Sequence, residues 1–262
     1  MRVPVYVGGV VLVVAAVALL YSRPIRPVEA AIFSLISSDN AWYVYQLRLL
    51  EQSLRQFAPG HTLHVVITDD VSAVVVSEIR AFATVRVIPA YAEPDRPMMY
   101  TRWIHQFTKF KLWSFYEFER ICYMDADVSF LGTDTLQSIV SECARSLEQV
   151  GVELCGFESD CQHNGAEDGR GFWGMRYMQA NFFCLRPNAT LFADIERNVV
   201  GPFLHRNFTF AGREVSTEQD VMNLYFKNRI HYASCDYVAD GLFLHGKSEN
   251  GRVEWEMVNG LF

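Results

Sequence analysis

The segment Tyr123-Met-Asp-Ala-Asp-Val-Ser-Phe130 places two carboxylates, Asp125 and Asp127, directly after the hydrophobic run 121–124. The run predicts a buried β-strand, and because side chains alternate along a strand, both carboxylates would point to the same face. Two like charges this close raise each other's pKa unless a cation or hydrogen-bond donors lie between them. Oxygen pairs of this kind suit Mg²⁺ or Mn²⁺. The alternative is a strand that ends in a solvated turn, where Asp is common.

The residues before this segment alternate between predicted strands and predicted helices. The predicted strands are 30–36, 63–67 and 85–88, and the predicted helices begin at Asp39 or Asn40, at Val71 and ahead of Lys109. This alternation, with short connections, predicts an α/β fold with a mainly parallel, Rossmann-like sheet covered by helices on both faces. Ligands bind beyond the carboxyl ends of the strands in such sheets, and Asp125 and Asp127 occupy such an end.

The second half of the chain has weaker patterns. We predict strands at 152–157, 181–185 and 241–245, and a helix at 191–200. The polar, Gly-rich residues 160–174 predict a loop at the site. Ser216-Thr-Glu-Gln219 predicts a capping box that opens a further helix.

The composition is that of a globular protein, and it argues against a general nucleic-acid binder. The 262 residues are 50% hydrophobic, carry a net charge of -7 and contain no basic run. This length fits one large domain or two small ones. The six cysteines form no Cys-x-x-Cys pair, which disfavours a zinc or thioredoxin site. Cys122 and Cys184 are expected to be core residues, and the other four are candidates for disulfides of open connectivity.

Residues 3–21 carry no charge and are rich in Val, Leu and Ala. As a helix they would span roughly 28 Å at ~1.5 Å per residue, close to the hydrocarbon core of a bilayer. The expected organisation is a membrane anchor at 1–21, an extended linker at 22–29 and one domain at 30–262. The alternative is a signal peptide cleaved near Val28-Glu-Ala30. Both predict delivery to the secretory lumen, and the sequons at Asn188 and Asn207 agree with it.

Four segments, in order, resemble glycosyltransferase family 8, the glycogenin and galactinol synthase group. They are Thr108-Lys-Phe-Lys-Leu-Trp113, Arg120-Ile-Cys-Tyr-Met-Asp-Ala-Asp127, Leu185-Arg-Pro-Asn188 and Glu218-Gln-Asp-Val-Met-Asn223. They are similar to that family's Thr-Lys-x-x-x-Trp helix, its Asp-x-Asp strand, the strand end after its Asn-x-Gly motif and its Asp-Gln-x-x-x-Asn helix. The resemblance implies a GT-A fold. It also implies retaining transfer of a sugar from a UDP-sugar to a hydroxyl of a glycan, glycoprotein or glycolipid.

The resemblance also implies roles for individual residues. The metal, Mn²⁺ or Mg²⁺, would be bound by Asp125, Asp127 and His245. The nucleotide sugar would contact Leu35, Ser37, Ser38, Trp42, Lys109, Asp125, Ala126 and Lys247. The catalytic residues would be Glu218 as base or nucleophile, Gln219 as a hydrogen-bond partner of a sugar hydroxyl, and Gln179 facing the sugar. The expected location is the Golgi or endoplasmic reticulum membrane, as a single-pass type II protein with a lumenal catalytic domain.

The sequence departs from the family pattern at three places. Gln179-Ala-Asn181 stands where the family has Asn-x-Gly, and Glu218 stands where it has Asp. The C-terminal motif lacks its proline, so either Lys247 or Arg252 could be the phosphate-binding cation. Two other functions stay open: a catalytically inactive lumenal relative that binds nucleotide sugars or carbohydrates, and a haloacid-dehalogenase-like phosphatase. The phosphatase is disfavoured because its Asp motif usually opens the fold, whereas here a long α/β region precedes it.

Overall fold

The structure, a computed structural model, describes residues 30–91, 105–130, 135–158, 161, 176–205, 209–210, 213–214, 217–239 and 242–244. The strands are β1 (Ala31–Ile36), β2 (Leu63–Thr68), β3 (Thr84–Ile88), β4 (Ile121–Met124), β5 (Val128–Phe130), β6 (Leu154–Glu158), β7 (Met178–Leu185), β8 (Thr209–Phe210), β9 (Arg213–Glu214), β10 (Ile230–Tyr232) and β11 (Leu242–Leu244). The α-helices are α1 (Ala41–Phe57), α2 (Ala73–Arg80), α3 (Thr135–Ser146), α4 (Ala189–Ile195), α5 (Gly201–His205), α6 (Glu218–Phe226) and α7 (Asp236–Ala239). A π-helical turn, Glu196–Val200, joins α4 to α5, and 3₁₀ helices cover His105–Ser114 and Lys227–Arg229.

Seven strands form one mixed sheet in the order β10-β6-β7-β4-β1-β2-β3. Strands β3, β2, β1 and β4 run parallel to one another, so their carboxyl ends share one edge of the sheet. Strand β7 runs antiparallel to both β4 and β6. The predicted α/β fold is confirmed, and β7 makes the sheet mixed. The reversal brings the amino-terminal residues of β7 to the edge where β4 ends.

The alternation of side chains along β1 supplies a hydrophobic core on each face of the sheet. Ile32 and Ile36 pack with residues of α1, α2 and α3 on one face. Phe33 packs on the other face with residues of the 3₁₀ helix, α4 and α6. As predicted, Asn40 caps α1, because its side-chain oxygen accepts a hydrogen bond of 2.9 Å from the backbone N–H of Trp42.

The predicted helix through Lys109 and Trp113 is a 3₁₀ helix. Three of its buried aromatic residues, Phe107, Phe110 and Trp113, recur at intervals of three. Side chains at this spacing align in a 3₁₀ helix, which has three residues per turn. Their rings lie 5.8 Å and 6.0 Å apart, and Trp113 stacks in turn on Phe183 of β7. The aromatic spacing fits the tighter helix, although residues three apart also share a face of an α-helix.

The capping box of α6 lies one residue later than predicted. It joins Thr217 and Asp220 rather than Ser216 and Gln219. The Thr217 hydroxyl accepts from the Asp220 N–H at 3.1 Å, and the Asp220 carboxylate accepts from the Thr217 N–H at 3.2 Å. The shift releases the side chain of Gln219 from the cap, so that it reaches β7 instead.

The six cysteines form three disulfides: Cys122–Cys184, Cys143–Cys155 and Cys161–Cys235. Cys122 and Cys184 are buried, as predicted for core residues, but they are bonded to each other across β4 and β7. The two residues lie directly opposite in the antiparallel register. The sequence did not indicate this bond because it did not indicate that β7 is antiparallel to β4.

Within the described ranges, no helix is long and apolar enough to cross a membrane. The predicted anchor at 1–21 and the linker at 22–29 lie outside those ranges, as does most of the predicted loop at 160–174.

Candidate active site

The carboxyl end of β4 carries the Asp-x-Asp segment into a tight turn. The backbone N–H of Asp125 donates to the carbonyl of Asn181 on β7 at 2.8 Å. The N–H of Val128 then donates to the carbonyl of Asp125 at 3.1 Å, which closes the turn. Ala126 is buried, whereas Asp125 and Asp127 are half-buried. The turn therefore holds both carboxylates at the edge where the parallel strands end.

The side chain of Lys109, from the 3₁₀ helix, contacts this turn at Asp125. Its Nζ is 3.1 Å from Asp125 Oδ1, 2.9 Å from Glu218 Oε1 and 3.0 Å from the carbonyl oxygen of Ala180. The side chain is only 3% exposed, and the ammonium also lies 4.9 Å from the centre of the Tyr123 ring. One ammonium is thus shared between two carboxylates that come from different elements.

Burial and charge act in opposite directions on Lys109. Burial disfavours the ammonium and lowers its pKa, but the carboxylates of Asp125 and Glu218 more than offset this and raise the pKa overall. For Tyr123 the two effects add, since burial and the neighbouring Asp125 carboxylate both raise the pKa of the phenol. At neutral pH the lysine is therefore charged and the tyrosine neutral.

The amino end of α6 is fixed to β7 by amide side chains. Gln219 Oε1 accepts from the N–H of Ala180 at 2.9 Å. Asn223 accepts from the N–H of Met178 at 2.6 Å and donates to its carbonyl at 2.9 Å. Glu218 lies in the first turn of α6, where the helix dipole favours a carboxylate. These contacts hold Glu218 beside Lys109.

The remaining predicted contacts occupy the same edge of the sheet or lie outside the described ranges. Ser37 and Ser38 follow the carboxyl end of β1, the neighbour of β4, and Leu35 is half-buried within that strand. Trp42 stacks with Tyr45 in the first turns of α1, and Gln179 lies on β7. The predicted residues outside the described ranges are His245, Lys247 and Arg252.

A short two-stranded sheet brings the last described residues of the chain to the Asp-x-Asp turn. Strand β11 pairs antiparallel with β5, and Leu244 is opposite Val128, the residue that follows Asp127. In the described part of the chain, no group of three His, Cys, Asp or Glu residues could hold a metal ion. The third predicted ligand, His245, directly follows Leu244 in the sequence.

Three residues at the site were not predicted from the sequence. The Tyr123 hydroxyl donates to Asp125 Oδ1 at 2.5 Å, and the Tyr177 hydroxyl donates to Asp220 at 2.5 Å. Asn181 is 2% exposed, and neither polar atom of its side chain has a hydrogen-bond partner. Tyr123 could have been found, because it lies two residues before Asp125 and strand alternation gives both the same face. Asn181 could also have been found, because it ends the segment Gln179-Ala-Asn181 that stands in place of the family's Asn-x-Gly, whereas Tyr177 carries no such signal.

Solved structures share the fold of this chain. The galactosyltransferase LgtC in complex with donor and acceptor sugar analogues has a TM-score of 0.51 and 15% identity, over 78% of this chain and 73% of that chain. An active-site mutant of LgtC has a TM-score of 0.50 and 15% identity, over 78% and 72%. The apo form of the glycosyltransferase GlyE of Streptococcus pneumoniae has a TM-score of 0.50 and 15% identity, over 80% of this chain and 46% of that chain. No protein-family model and no curated protein matches the sequence. The chain therefore has the GT-A-like fold of these glycosyltransferases.

Proposed function

We propose that this chain is a metal-dependent glycosyltransferase that transfers a sugar from a UDP-sugar to an acceptor hydroxyl with retention of anomeric configuration. One observation carries the proposal: Lys109, Asp125, Glu218 and Gln219 meet at the carboxyl edge of the sheet in a GT-A-like fold. They come from three segments that are distant in sequence, and the resemblance to family 8 assigns all four to donor binding or catalysis. Ligands of open α/β sheets bind at this edge.

The carboxylates fit a hard divalent cation, which we propose to be Mn²⁺ or Mg²⁺. The ion pair of Asp125 with Lys109 and its hydrogen bond from Tyr123 both involve Oδ1. Among the described contacts its Oδ2 therefore remains available to a cation, beside the second proposed ligand, Asp127. When bound, the cation would stabilise the charge that develops on the departing diphosphate.

Chain connectivity supports His245 as the third ligand. Leu244 pairs with Val128. His245 directly follows Leu244 in the sequence, and this adjacency is the reason that we propose it as the third ligand. We propose that Lys247, or Arg252 in its place, contacts the phosphates a few residues later.

The chain's own groups would bind the donor and assist the transfer. We propose that Ser37, Ser38 and Trp42 receive the nucleotide at the end of β1. In a same-face transfer the acceptor oxygen bonds to the anomeric carbon on the face from which UDP departs, the bond from that carbon to UDP breaks, and the acceptor hydroxyl loses its proton. Glu218 is the carboxylate that would take this proton as a base, or attack first as a nucleophile.

We also propose that the chain acts in the secretory lumen, with residues 30–262 as the catalytic domain. The three disulfides support an oxidising compartment, because disulfides persist in secreted and lumenal proteins and are rare in the cytosol. An uncharged segment at 3–21 agrees with a membrane anchor in the Golgi or endoplasmic reticulum.

The test is a screen of the purified full-length chain against UDP-glucose, UDP-galactose, UDP-N-acetylglucosamine and UDP-xylose, with Mn²⁺ or with a chelator. We expect Mn²⁺-dependent release of UDP from one donor, and an NMR spectrum of the product that shows retained anomeric configuration. Binding of Mn²⁺ and UDP without turnover of any sugar nucleotide would instead identify an inactive relative. A phospho-aspartate at Asp125 would identify a phosphatase.

A further inference from the structure

Three protein oxygens surround the Lys109 ammonium: two accept hydrogen bonds from it, and the third, on Asp125, is in ion-pair contact with it. An ammonium has three donors, and its nitrogen lies 2.9 Å from Glu218 Oε1, 3.0 Å from the Ala180 carbonyl and 3.1 Å from Asp125 Oδ1. The Tyr123 ring lies 4.9 Å from the nitrogen, and the side chain is 3% exposed. A phosphate or sugar oxygen could bond to this ammonium only by displacing one of these partners. The expected role of Lys109 as a donor contact is therefore at odds with the geometry.

The ammonium instead joins two residues that have separate roles in the proposed reaction. Asp125 is a proposed metal ligand, and Glu218 is the proposed base or nucleophile. We propose that Lys109 is a positioning residue and internal counter-ion, and that it couples the binding of a divalent cation at Asp125 to the charge of Glu218. This inference rests on the metal site of the proposed function.

Electrostatics fixes the direction of the coupling. A cation on Asp125 and the ammonium of Lys109 are like charges a few ångströms apart, so the ammonium opposes metal binding. The Glu218 carboxylate attracts the same ammonium and offsets its charge, so Glu218 favours metal binding. Removing Lys109 should therefore tighten binding of the metal, and neutralising Glu218 should weaken it.

The experiment measures the affinity of the purified full-length chain for Mn²⁺ alone, by calorimetry or by electron paramagnetic resonance of the free ion. We expect Lys109→Met to bind Mn²⁺ at least about tenfold more tightly than the wild type, and Glu218→Gln to bind it about threefold or more weakly. Lys111→Met is the matched control for the first change, because Lys111 lies on the same helix and donates to the Pro89 carbonyl. Glu148→Gln, at the opposite edge of the sheet, is the control for the second. Both controls should bind Mn²⁺ as the wild type does.

The outcomes separate this inference from the proposed function. If the wild type does not bind Mn²⁺, the metal site itself is wrong. If the wild type binds Mn²⁺ but Lys109→Met binds it equally or more weakly, the coupling is wrong. A Lys109→Met variant with unchanged Mn²⁺ affinity and tenfold weaker UDP binding would assign Lys109 to the donor phosphates. Should Lys109→Met fail to fold, Glu218→Gln decides, and an unchanged Mn²⁺ affinity there overturns the coupling.

Discussion

The two edges of the sheet carry charge in different ways. At the carboxyl edge, Lys109 is 3% exposed and bonded to both Asp125 and Glu218. At the amino edge, Arg120 is 11% exposed, but it pairs with Glu119 and Glu148, whose side chains are 65% and 60% exposed. Burying charges costs desolvation free energy that their attraction often fails to recover, whereas exposed pairs cost and gain little. This difference supports our proposal that the charges at the carboxyl edge serve chemistry rather than stability.

A cleft also lies at the opposite edge of the sheet, among the described residues. A cleft of about 670 Å³ opens at the amino ends of the strands, lined by residues that include His61, Glu119 and Arg120. Its charged groups pair at the surface, and none of the residues that the resemblance assigns to donor or metal lines it. We therefore place the proposed donor site at the carboxyl edge and not in this cleft.

The largest effect is expected from Glu218→Gln. The change keeps the shape of the side chain and its hydrogen bond to Lys109 but removes the base or nucleophile, so kcat should fall by about 10²–10⁴-fold. Steady-state release of UDP measures this. Glu148→Gln at the amino edge should keep wild-type kcat. Equal losses in the two variants would remove the distinction between the edges.

Asp127→Asn tests the metal ligand. Loss of one carboxylate should weaken metal binding and lower metal-dependent turnover by about 10²–10³-fold, while circular dichroism shows an intact fold. Asp70→Asn is a matched control, because Asp70 lies in the exposed turn after β2 at the same edge. Unchanged turnover in Asp127→Asn would end the metal assignment.

The stability of the two edges should also differ. Lys109→Met leaves the carboxylates of Asp125 and Glu218 buried without their cation, so the free energy of unfolding should fall by about 3–5 kcal/mol. Glu148 is 60% exposed and Arg120 keeps its contact with Glu119, so Glu148→Gln should change the free energy of unfolding by less than about 1 kcal/mol. Denaturant titration measures both. Similar losses of unfolding free energy in the two variants would contradict the burial of the charges around Lys109.

The smallest expected effect is on the stability of the fold at alkaline pH. Lys109 and Tyr123 both have a raised pKa in the folded chain, so above about pH 10 the unfolded chain holds fewer protons than the folded one. Their contribution is complete below that pH, and the free energy of unfolding should then decline by up to about 1.4 kcal/mol per pH unit for each group. Denaturant titrations between pH 8 and pH 11.5 should show a shallower decline in Lys109→Met. The same slope in both proteins would show that Lys109 does not contribute.

The first half of the fold could be predicted because its signals are local. Asn40 marks the start of α1, and the apolar run 121–124 marks β4. The reversal of β7 could not be predicted, since a short apolar strand has the same pattern in either direction. The Cys122–Cys184 bond depends on that reversal and was missed with it.

The sequence predicted which residues belong to the candidate site, but not which of them contact one another. The motifs identified Asp125 and Glu218, yet the lysine that joins them is separated from Glu218 by 109 residues in the sequence. The order of the motifs predicted Lys109 as a donor contact. The sequence shows that a cation is present at this position, but it does not show which acceptors surround that cation. Only the packing of α6 on β7 puts those acceptors in place.

A crystal structure of the full-length chain grown with Mn²⁺ and UDP would decide which edge of the sheet is the active site. We predict an anomalous manganese peak bound by Asp125 and Asp127, with the diphosphate on the metal and the nucleotide toward the end of β1. A peak elsewhere, or UDP in the cleft beside His61 and Arg120, would contradict the assignment.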